Sequence, residues 1–336
     1  MSLGAPPQPV VLDIDTGIDD ALALLLALRC PEVSVVGVTT VAGNAALPEV
    51  VRNTQHVLDT ASATSVPVAA GAAQPLIRAL TTATFFHGPH GLGSVVAPEP
   101  TRAPVKEPAA WFLCRLAEEY QGRLVVIATG PWTNIALASR LDSGFLSRLR
   151  QLVVMGGAVT VPGNVTPVAE ANVYNDPEAA HIVLGSGVMP LLVGLDVTRQ
   201  ALWRPPQQKA AQQRVEAQSA PDPVARLAVD LLDWYVRADL AAGLSGSPLH
   251  DPVAVAAAVW PALFTLEPMH VSVELASELT RGQTVAAPDS QRERLETREG
   301  QRDVVGVETV QPTCRVASAI DSDSFAERFA ERLGLQ

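Results

Sequence analysis

The chain of 336 residues carries a formal net charge of −11, and 48% of its residues are hydrophobic. At about 150 residues per domain, this length allows two domains or one large α/β domain with additions, and the apolar content excludes a disordered chain. The acidic balance argues against a general nucleic-acid binder, because phosphate contacts require clustered Lys and Arg side chains.

In chain order, the first part of the sequence alternates apolar strands with helices. The predicted strands are 10–14, 33–39, 66–70, 124–128, 151–155 and 190–196, and the predicted helices are 20–28, 49–60, 111–120, 133–140 and 176–184. Continuous apolar strands separated by helices indicate a mostly parallel, Rossmann-like sheet that is covered by helices on both faces. In such sheets, ligands bind at the carboxyl ends of the strands.

The pattern changes after residue 196. Helices are predicted at 207–218, 222–242, 252–260 and 324–333, late strands at 271–274 and 315–319, and a mobile loop at 287–302. No internal repeat or linker divides the chain. We therefore expect one domain over 1–336, with an ordered core at about 9–333 and a C-terminal elaboration of helices and strands.

Targeting and redox signals are few. The N-terminus has no basic region followed by an apolar one, so we expect no signal peptide. The longest uncharged apolar stretch, 252–266, is short and interrupted by Pro261, so no membrane span is expected. Cys30, Cys114 and Cys314 lie too far apart for a disulfide framework or a zinc motif, which suits a reducing cytoplasm.

The strongest chemical signal is a cluster of four carboxylates, Asp13, Asp15, Asp19 and Asp20, at the turn from the first strand to the first helix. Like charges this close repel each other, and burying them unpaired is costly. Because no Lys or Arg is near in sequence, a hard cation with oxygen ligands, Ca²⁺ or Mg²⁺, is the simplest partner. A solvated helix cap would explain Asp19 and Asp20, but not the two carboxylates at the strand end.

These residues carry a resemblance to the inosine-uridine-preferring nucleoside hydrolases. The acidic pattern at 13–20 resembles the family's signature, and five further segments resemble its motifs in the same order: 38–44 (VTTVAGN), 128–136 (ATGPWTNIA), 153–157 (VVMGG), 163–179 and 250–252 (HDP). The sequence departs from the family at Thr16, where Pro is common, and at 89–90 (PH), where a Glu-Thr or Glu-Ser pair is common.

The resemblance implies a nucleoside hydrolase fold and Ca²⁺-dependent hydrolysis of the N-glycosidic bond of ribonucleosides by direct attack of a metal-bound water. It assigns the ion to Asp15, Asp20, Asp251 and the main-chain carbonyl of Thr129. Asp15 is then the general base, and direct attack by water predicts inversion at C1′. The resemblance also implies a homodimer or homotetramer acting on small ribonucleosides, with no nucleic-acid or membrane partner.

The same resemblance assigns the substrate contacts. Asp19, Asn44 and Asp251 would hold the 2′- and 3′-hydroxyls. The residues expected around the 5′-hydroxyl are Met155, Asn164, Glu170 and Asn172.

The candidates for activating the leaving group are three histidines in Gly- or Pro-flanked loops, His87, His90 and His250. The sequence does not show which of them has this role. An imidazole suits this task because its unperturbed pKa of about 6.5 leaves an acid fraction near neutral pH. The preference for purine or pyrimidine bases also stays open.

Two other functions remain as alternatives. A haloacid-dehalogenase-like phosphatase also has Asp-x-Asp after a strand, but it needs Thr or Val where Gly17 stands and a catalytic lysine, for which only Lys106 and Lys209 exist. A non-catalytic nucleoside- or ribose-binding protein would not need a base beside a metal.

Overall fold

The computed structural model of the protein describes residues 6–288 and 311–336. Its strands are β1 (Gln8–Ile14), β2 (Val33–Thr40), β3 (Val68–Ala70), β4 (Val125–Ala128), β5 (Gln151–Met155), β6 (Leu191–Val193), β7 (Leu202–Trp203), β8 (Ser247–Pro248), β9 (Phe264–Val273), β10 (Thr284–Pro288) and β11 (Cys314–Ile320).

The α-helices are α1 (Ile18–Arg29), α2 (Leu47–Thr60), α3 (Thr84–His87), α4 (Ala109–Glu119), α5 (Thr133–Leu141), α6 (Ala171–Asn175), α7 (Pro177–Leu184), α8 (Leu195–Thr198), α9 (Pro205–Glu216), α10 (Pro223–Ala241), α11 (His250–Val259) and α12 (Ser322–Arg332). Short 3₁₀ helices form at Leu146–Arg148 and Pro261–Leu263. Over 6–288 and 311–336, no helix combines the length and the apolar character that a membrane span requires.

In the described part of the chain, nine strands form one sheet in the order β10-β9-β11-β6-β5-β4-β1-β2-β3, and β7 and β8 form a separate antiparallel pair. The seven strands from β11 to β3 are parallel, while β9 runs antiparallel to both of its neighbours. The mostly parallel sheet predicted from the sequence is therefore confirmed, with its antiparallel part in the C-terminal elaboration.

The strand order changes direction at β1. From β1 the chain proceeds outward through β2 and β3, and then returns to place β4 on the other side of β1. Asp13 pairs with Ala128 in this parallel register, so the loops that follow β1 and β4 leave the sheet side by side. Such a switch point opens a crevice at the carboxyl ends of the strands, where ligands bind in open α/β sheets.

The sheet is buried on both faces, which explains why its strands are continuously apolar. In β1, Leu12 packs in a cluster with α1, α10 and α11, whereas Val11 packs in a second cluster with α4, α5 and α7. Because both faces of β1 are covered, a ligand reaches its carboxyl end through the crevice.

The structure corrects several predicted elements. The strand predicted at 190–196 ends at Val193, because Gly194 begins the short helix α8. The strand predicted at 271–274 is the end of the longer β9, whose first half is largely exposed and contains Pro268, so its sequence lacks a strand pattern. Residues 287 and 288 of the predicted mobile loop belong to β10, and the rest of that loop lies outside the described residues.

Candidate active site

The acidic cluster lies at the switch point. Asp15 follows β1, and Asp19 and Asp20 occupy the first turn of α1, where negative charge is favoured by the helix dipole. Asp20 ties the turn together, since Oδ2 accepts a hydrogen bond from the Gly17 N–H (2.9 Å) and Oδ1 accepts one from the Asp15 N–H (3.3 Å). Capping thus explains part of the role of Asp20, but not the presence of Asp15 beside it.

A further carboxylate reaches the acidic cluster from a distant part of the chain. Asp251 is the second residue of α11, and carboxylate oxygens of Asp19, Asp20 and Asp251 lie within 4.8 Å of one another, all buried. The charges of Asp15 and Glu170 are near enough to raise the pKa of Asp251 further. Two of the four predicted metal ligands, Asp20 and Asp251, are therefore in this group, and Asp19, which the sequence assigned to ribose, is the third member.

The donors present fit a hard divalent cation. Within the two described ranges, no Lys or Arg forms an ion pair with these carboxylates, and buried oxygens of Asp15 (Oδ1) and Asp19 (Oδ1) have no hydrogen-bond partner. Burial raises the pKa of Asp19 to about 6, and burial together with the neighbouring carboxylates raises the pKa values of Asp15 and Asp251 well above the usual range. Oxygen atoms of this kind are the ligands that Ca²⁺ and Mg²⁺ prefer.

The carboxylate of Asp15 is held by the loop after β2. Its Oδ2 accepts a hydrogen bond from the Asn44 N–H at 2.6 Å, and the Asn44 side-chain amide donates to Asp20 at 3.1 Å. This approach requires a glycine at position 43, because a Cβ there would lie 2.0 Å from Asp15 Oδ2. Asn44 was predicted from the sequence; the steric role of Gly43 was not, although it lies in the same motif.

The other wall of the crevice comes from the ends of β4 and β5. The Thr129 hydroxyl donates to Asp20 Oδ1 at 2.7 Å, while its main-chain carbonyl accepts a hydrogen bond from the Asn172 side-chain amide at 2.6 Å. The same amide lies 3.3 Å from the carbonyl oxygen of Met155. Thr129 is thus joined directly to the acidic cluster, and Met155 and Asn172 are joined to it through Thr129.

Glu170 and Asn164 differ in their placement. Glu170 is buried as the N-cap of α6, and its carboxylate accepts hydrogen bonds from the N–H groups of Gly157, Asn172 and Val173. Burial nevertheless raises its pKa to about 6. Asn164 is exposed at the rim, where its Oδ1 accepts from the Ala171 N–H at 3.0 Å.

Asp13 lies beneath the crevice rather than in it. Its Oδ1 accepts hydrogen bonds from the Thr39 hydroxyl (2.6 Å) and from the Asn134 side-chain amide (2.8 Å), which joins β1 to β2 and to α5. Burial raises its pKa to about 7. Asn134 and Thr39 were not predicted as supporting residues, although both lie in segments that carried the family resemblance.

The three candidate histidines occupy different environments. His87 is buried, and its Nδ1 accepts a hydrogen bond from the Ile18 N–H at 3.2 Å; burial lowers its pKa to about 4. His250 Nδ1 lies 2.7 Å from the Thr198 hydroxyl, and burial, with a smaller contribution from the Arg199 charge, lowers its pKa to about 3. His90 is exposed and lies 3.6 Å from Glu49 on α2, away from the carboxylates. The structure therefore brings His87 and His250 to the site, but not His90.

Helix α10 supplies contacts that the sequence did not reveal. The Tyr235 hydroxyl donates to Asp19 Oδ2 at 3.3 Å, and the Trp234 indole N–H donates to the carbonyl of Phe86 at 2.9 Å. The bond from Trp234 attaches the segment that carries His87 to α10, and the bond from Tyr235 attaches Asp19 to the same helix. In the sequence, both aromatic residues lie in the helix predicted at 222–242, and no motif marks them.

Known proteins of similar sequence and fold identify the family of this chain. The sequence model of the inosine-uridine preferring nucleoside hydrolase family matches residues 10–327. The inosine-uridine preferring nucleoside hydrolase of Crithidia fasciculata is 40% identical over 283 residues (83% of this chain, 88% of that protein), and the pyrimidine-specific ribonucleoside hydrolase RihA of Escherichia fergusonii is 36% identical over 327 residues (97% and 98%). The structure of a purine-preferring ribonucleoside hydrolase from Gardnerella vaginalis superposes with a TM-score of 0.85 at 32% identity, covering 98% of this chain and 99% of that one.

The fold and the site define an α/β enzyme with a group of buried carboxylates at the switch point of its parallel sheet. The chain belongs to the inosine-uridine preferring nucleoside hydrolase family, and it is an N-glycosidase of ribonucleosides. The phosphatase alternative is wrong: both candidate lysines, Lys106 and Lys209, are exposed, and neither lies at the carboxylates. The non-catalytic alternative is excluded by membership of this family of enzymes.

Proposed function

We propose that the protein hydrolyses ribonucleosides to ribose and free base in a Ca²⁺-dependent reaction, by attack of water at C1′ with inversion. The observation that carries this proposal is the buried group of Asp19, Asp20 and Asp251, beside Asp15, at the switch point of the sheet. Among the described residues no cationic side chain pairs with these four carboxyl groups, so they stay ionised at neutral pH only if a cation binds between them, and burial otherwise favours their protonated forms.

We assign the ion to Asp15, Asp20, Asp251 and the main-chain carbonyl of Thr129, as the family resemblance implies. The closeness of Asp19 to Asp20 and Asp251 makes it a further candidate ligand. When bound, a divalent cation supplies a Lewis acid that polarises water and sugar hydroxyls.

Asp15 is the proposed general base. The Asn44 N–H donates to its Oδ2, whereas its buried Oδ1 has no hydrogen-bond partner among the described residues and can accept a proton from the attacking water. The carboxylates around it also stabilise the positive charge that develops on the sugar in an oxocarbenium-like transition state.

The substrate's hydroxyl groups would be held on both sides of this base. Asp19, Asn44 and Asp251 are proposed to bind the 2′- and 3′-hydroxyls. Met155, Asn172 and Glu170 are proposed to lie around the 5′-hydroxyl, together with Asn164, which is exposed. The Glu170 carboxylate already accepts three main-chain N–H groups, so its main contribution is to hold the Gly157 and Asn172 backbones in position.

His87 and His250 are proposed to assist the departing base. Their lowered pKa values mean that both rings are neutral at pH 7, so they would act as hydrogen-bond donors rather than as imidazolium acids. The Nδ1 atom of His87 already accepts a backbone N–H, which leaves its proton on Nε2.

For the whole chain, we propose one nucleoside hydrolase domain that forms a homodimer or homotetramer in the cytoplasm.

The test uses the purified full-length protein. Elemental analysis without added chelator should show near-stoichiometric calcium, and reducing sugar should be released from inosine or uridine. Chelator treatment should abolish this release, and Ca²⁺ should restore it. Sugar release that persists in a protein shown to be free of metal would contradict the metal assignment, and no release from any ribonucleoside of a broad panel would contradict the function.

A further inference from the structure

A buried hydroxyl outside the acidic cluster contacts the histidine on the base side. Thr198 is the last residue of α8, is fully buried, and places its Oγ1 2.7 Å from Nδ1 of His250. Thr198 lies outside the segments that resemble the family's motifs, and it has no role in the reaction proposed above.

The groups around the Thr198 hydroxyl determine which partner donates in this hydrogen bond. In the parts of the chain that the structure describes, the Thr198 hydroxyl has no other hydrogen-bond partner, so His250 Nδ1 is the acceptor available to its proton. A neutral imidazole that accepts at Nδ1 carries its own proton on Nε2. His250 is half-buried, and no described residue accepts a hydrogen bond from its Nε2, so this N–H is free to contact a ligand.

Helix α8 holds the hydroxyl firmly in place. The Thr198 N–H donates to the Gly194 carbonyl at 3.1 Å. On the same turn, the Asp196 carboxylate accepts the N–H groups of Val159 and Thr160 at 2.8 and 2.6 Å, and the Arg199 guanidinium donates to two carbonyls of the loop that carries Asn164. A donor fixed in this way costs little entropy when it orients a neighbouring ring.

We propose that Thr198 is a positioning residue that holds His250 as the Nε2–H tautomer and aims this N–H at the departing base. The inference rests on the proposed function only for the identity of the group that His250 meets. The orientation of the ring and its tautomer follow from the contact between Thr198 and His250 alone.

The test compares Thr198→Val, which keeps the shape but removes the hydroxyl, with Thr198→Ser, which keeps the hydroxyl. We expect Thr198→Val to lower kcat on inosine or uridine on the order of tenfold, the usual effect of losing one hydrogen bond. KM and the rate on p-nitrophenyl riboside, whose leaving group needs no assistance, should stay within about twofold. Thr198→Ser should retain most of the activity.

Two controls separate positioning from a general loss of structure. Thr313→Val removes a hydroxyl that bonds Val271 at the far side of the sheet, and it should leave the ratio of the two substrates unchanged. In a His250→Ala background, Thr198→Val should cause no further loss, because its effect passes through the imidazole. Equal losses on the two substrates, or full additivity with His250→Ala, would overturn the proposal.

A readout without turnover keeps this inference separate from the proposed function. In protein with ¹⁵N-labelled histidine, the His250 signals should show a proton on Nε2, and Thr198→Val should change the tautomer ratio. A wild-type protein that cleaves no nucleoside but gives this result would leave the role of Thr198 intact while refuting the proposed function. A proton on Nδ1 in the wild type would refute the role of Thr198 directly.

Discussion

Replacing Gly43 by alanine should damage the site through sterics alone. Gly43 has no left-handed backbone conformation, so alanine is compatible with its backbone. The added Cβ would nevertheless lie 2.0 Å from Asp15 Oδ2 and 2.8 Å from Pro131 Cδ, well inside the 3.4 Å at which ordinary van der Waals contact begins. The Asp15 carboxylate must therefore move by more than about 1 Å, which breaks its 2.6 Å hydrogen bond to the Asn44 N–H. Because misplacing a reacting group by about 1 Å lowers the rate roughly 10²-fold, we expect a decrease of this size in kcat.

The assay measures kcat and KM on inosine or uridine together with the thermal midpoint. The overpacked side chain should also lower the free energy of unfolding by about 1–3 kcal/mol. Gly122→Ala is the matched control, because Gly122 has a φ of +69° and a methyl group added there would have no described atom within 4 Å; it should lose stability through backbone strain but keep kcat. A Gly43→Ala enzyme with wild-type kcat would refute the idea that the close approach of this loop places Asp15.

Three further outcomes test the proposed chemistry. Asp15→Asn should keep the fold by circular dichroism and lose about 10²–10⁴-fold in kcat, since an amide cannot take the proton from water; a retained kcat would move the base to another carboxylate. The pKa values of Asp19 and Glu170 are raised to about 6 in the folded protein, so their contribution to the free energy of unfolding is present below about pH 4 and is lost as the pH rises through 6. Chelated protein should therefore become less stable over this range. Because Asp19 is a candidate ligand, Ca²⁺ should raise the thermal midpoint more at pH 7 than at pH 5; an equal increase at both pH values would contradict the metal-binding role of Asp19. Finally, 2′-deoxyribonucleosides should be at least about 10²-fold poorer in kcat/KM than ribonucleosides, because the groups that pair with the hydroxyl are left unsatisfied, and equal values would remove the hydroxyl-binding role of Asn44.

The features that the sequence determined by itself are local in the chain. Continuous apolar strands alternating with helices predict a parallel sheet covered on both faces, because only strands buried on both sides lack polar alternation. The acidic residues at 13–20 predict a cation site, because four like charges stand close together along the chain. The fold then places Asp13 beneath the crevice, where Thr39 and Asn134 donate hydrogen bonds to it. The prediction of secondary structure was wrong where this local signal was weak: the first half of β9 is largely exposed and contains Pro268, and α8 is a short helix.

The tertiary structure decided which distant residues complete the site. Asp251 joins Asp19 and Asp20 only because α11 packs against α1 on one face of the sheet, and without the family resemblance nothing in the sequence near residue 251 indicates this partner. Tyr235 lies in the helix predicted at 222–242 and Thr198 lies between two predicted elements, and no motif marks either residue, yet each places a hydroxyl on a site residue. Such contacts depend on the crossing of helices and on the position of the switch between β1 and β4, and these follow from the packing of the whole sheet rather than from any short pattern of residues.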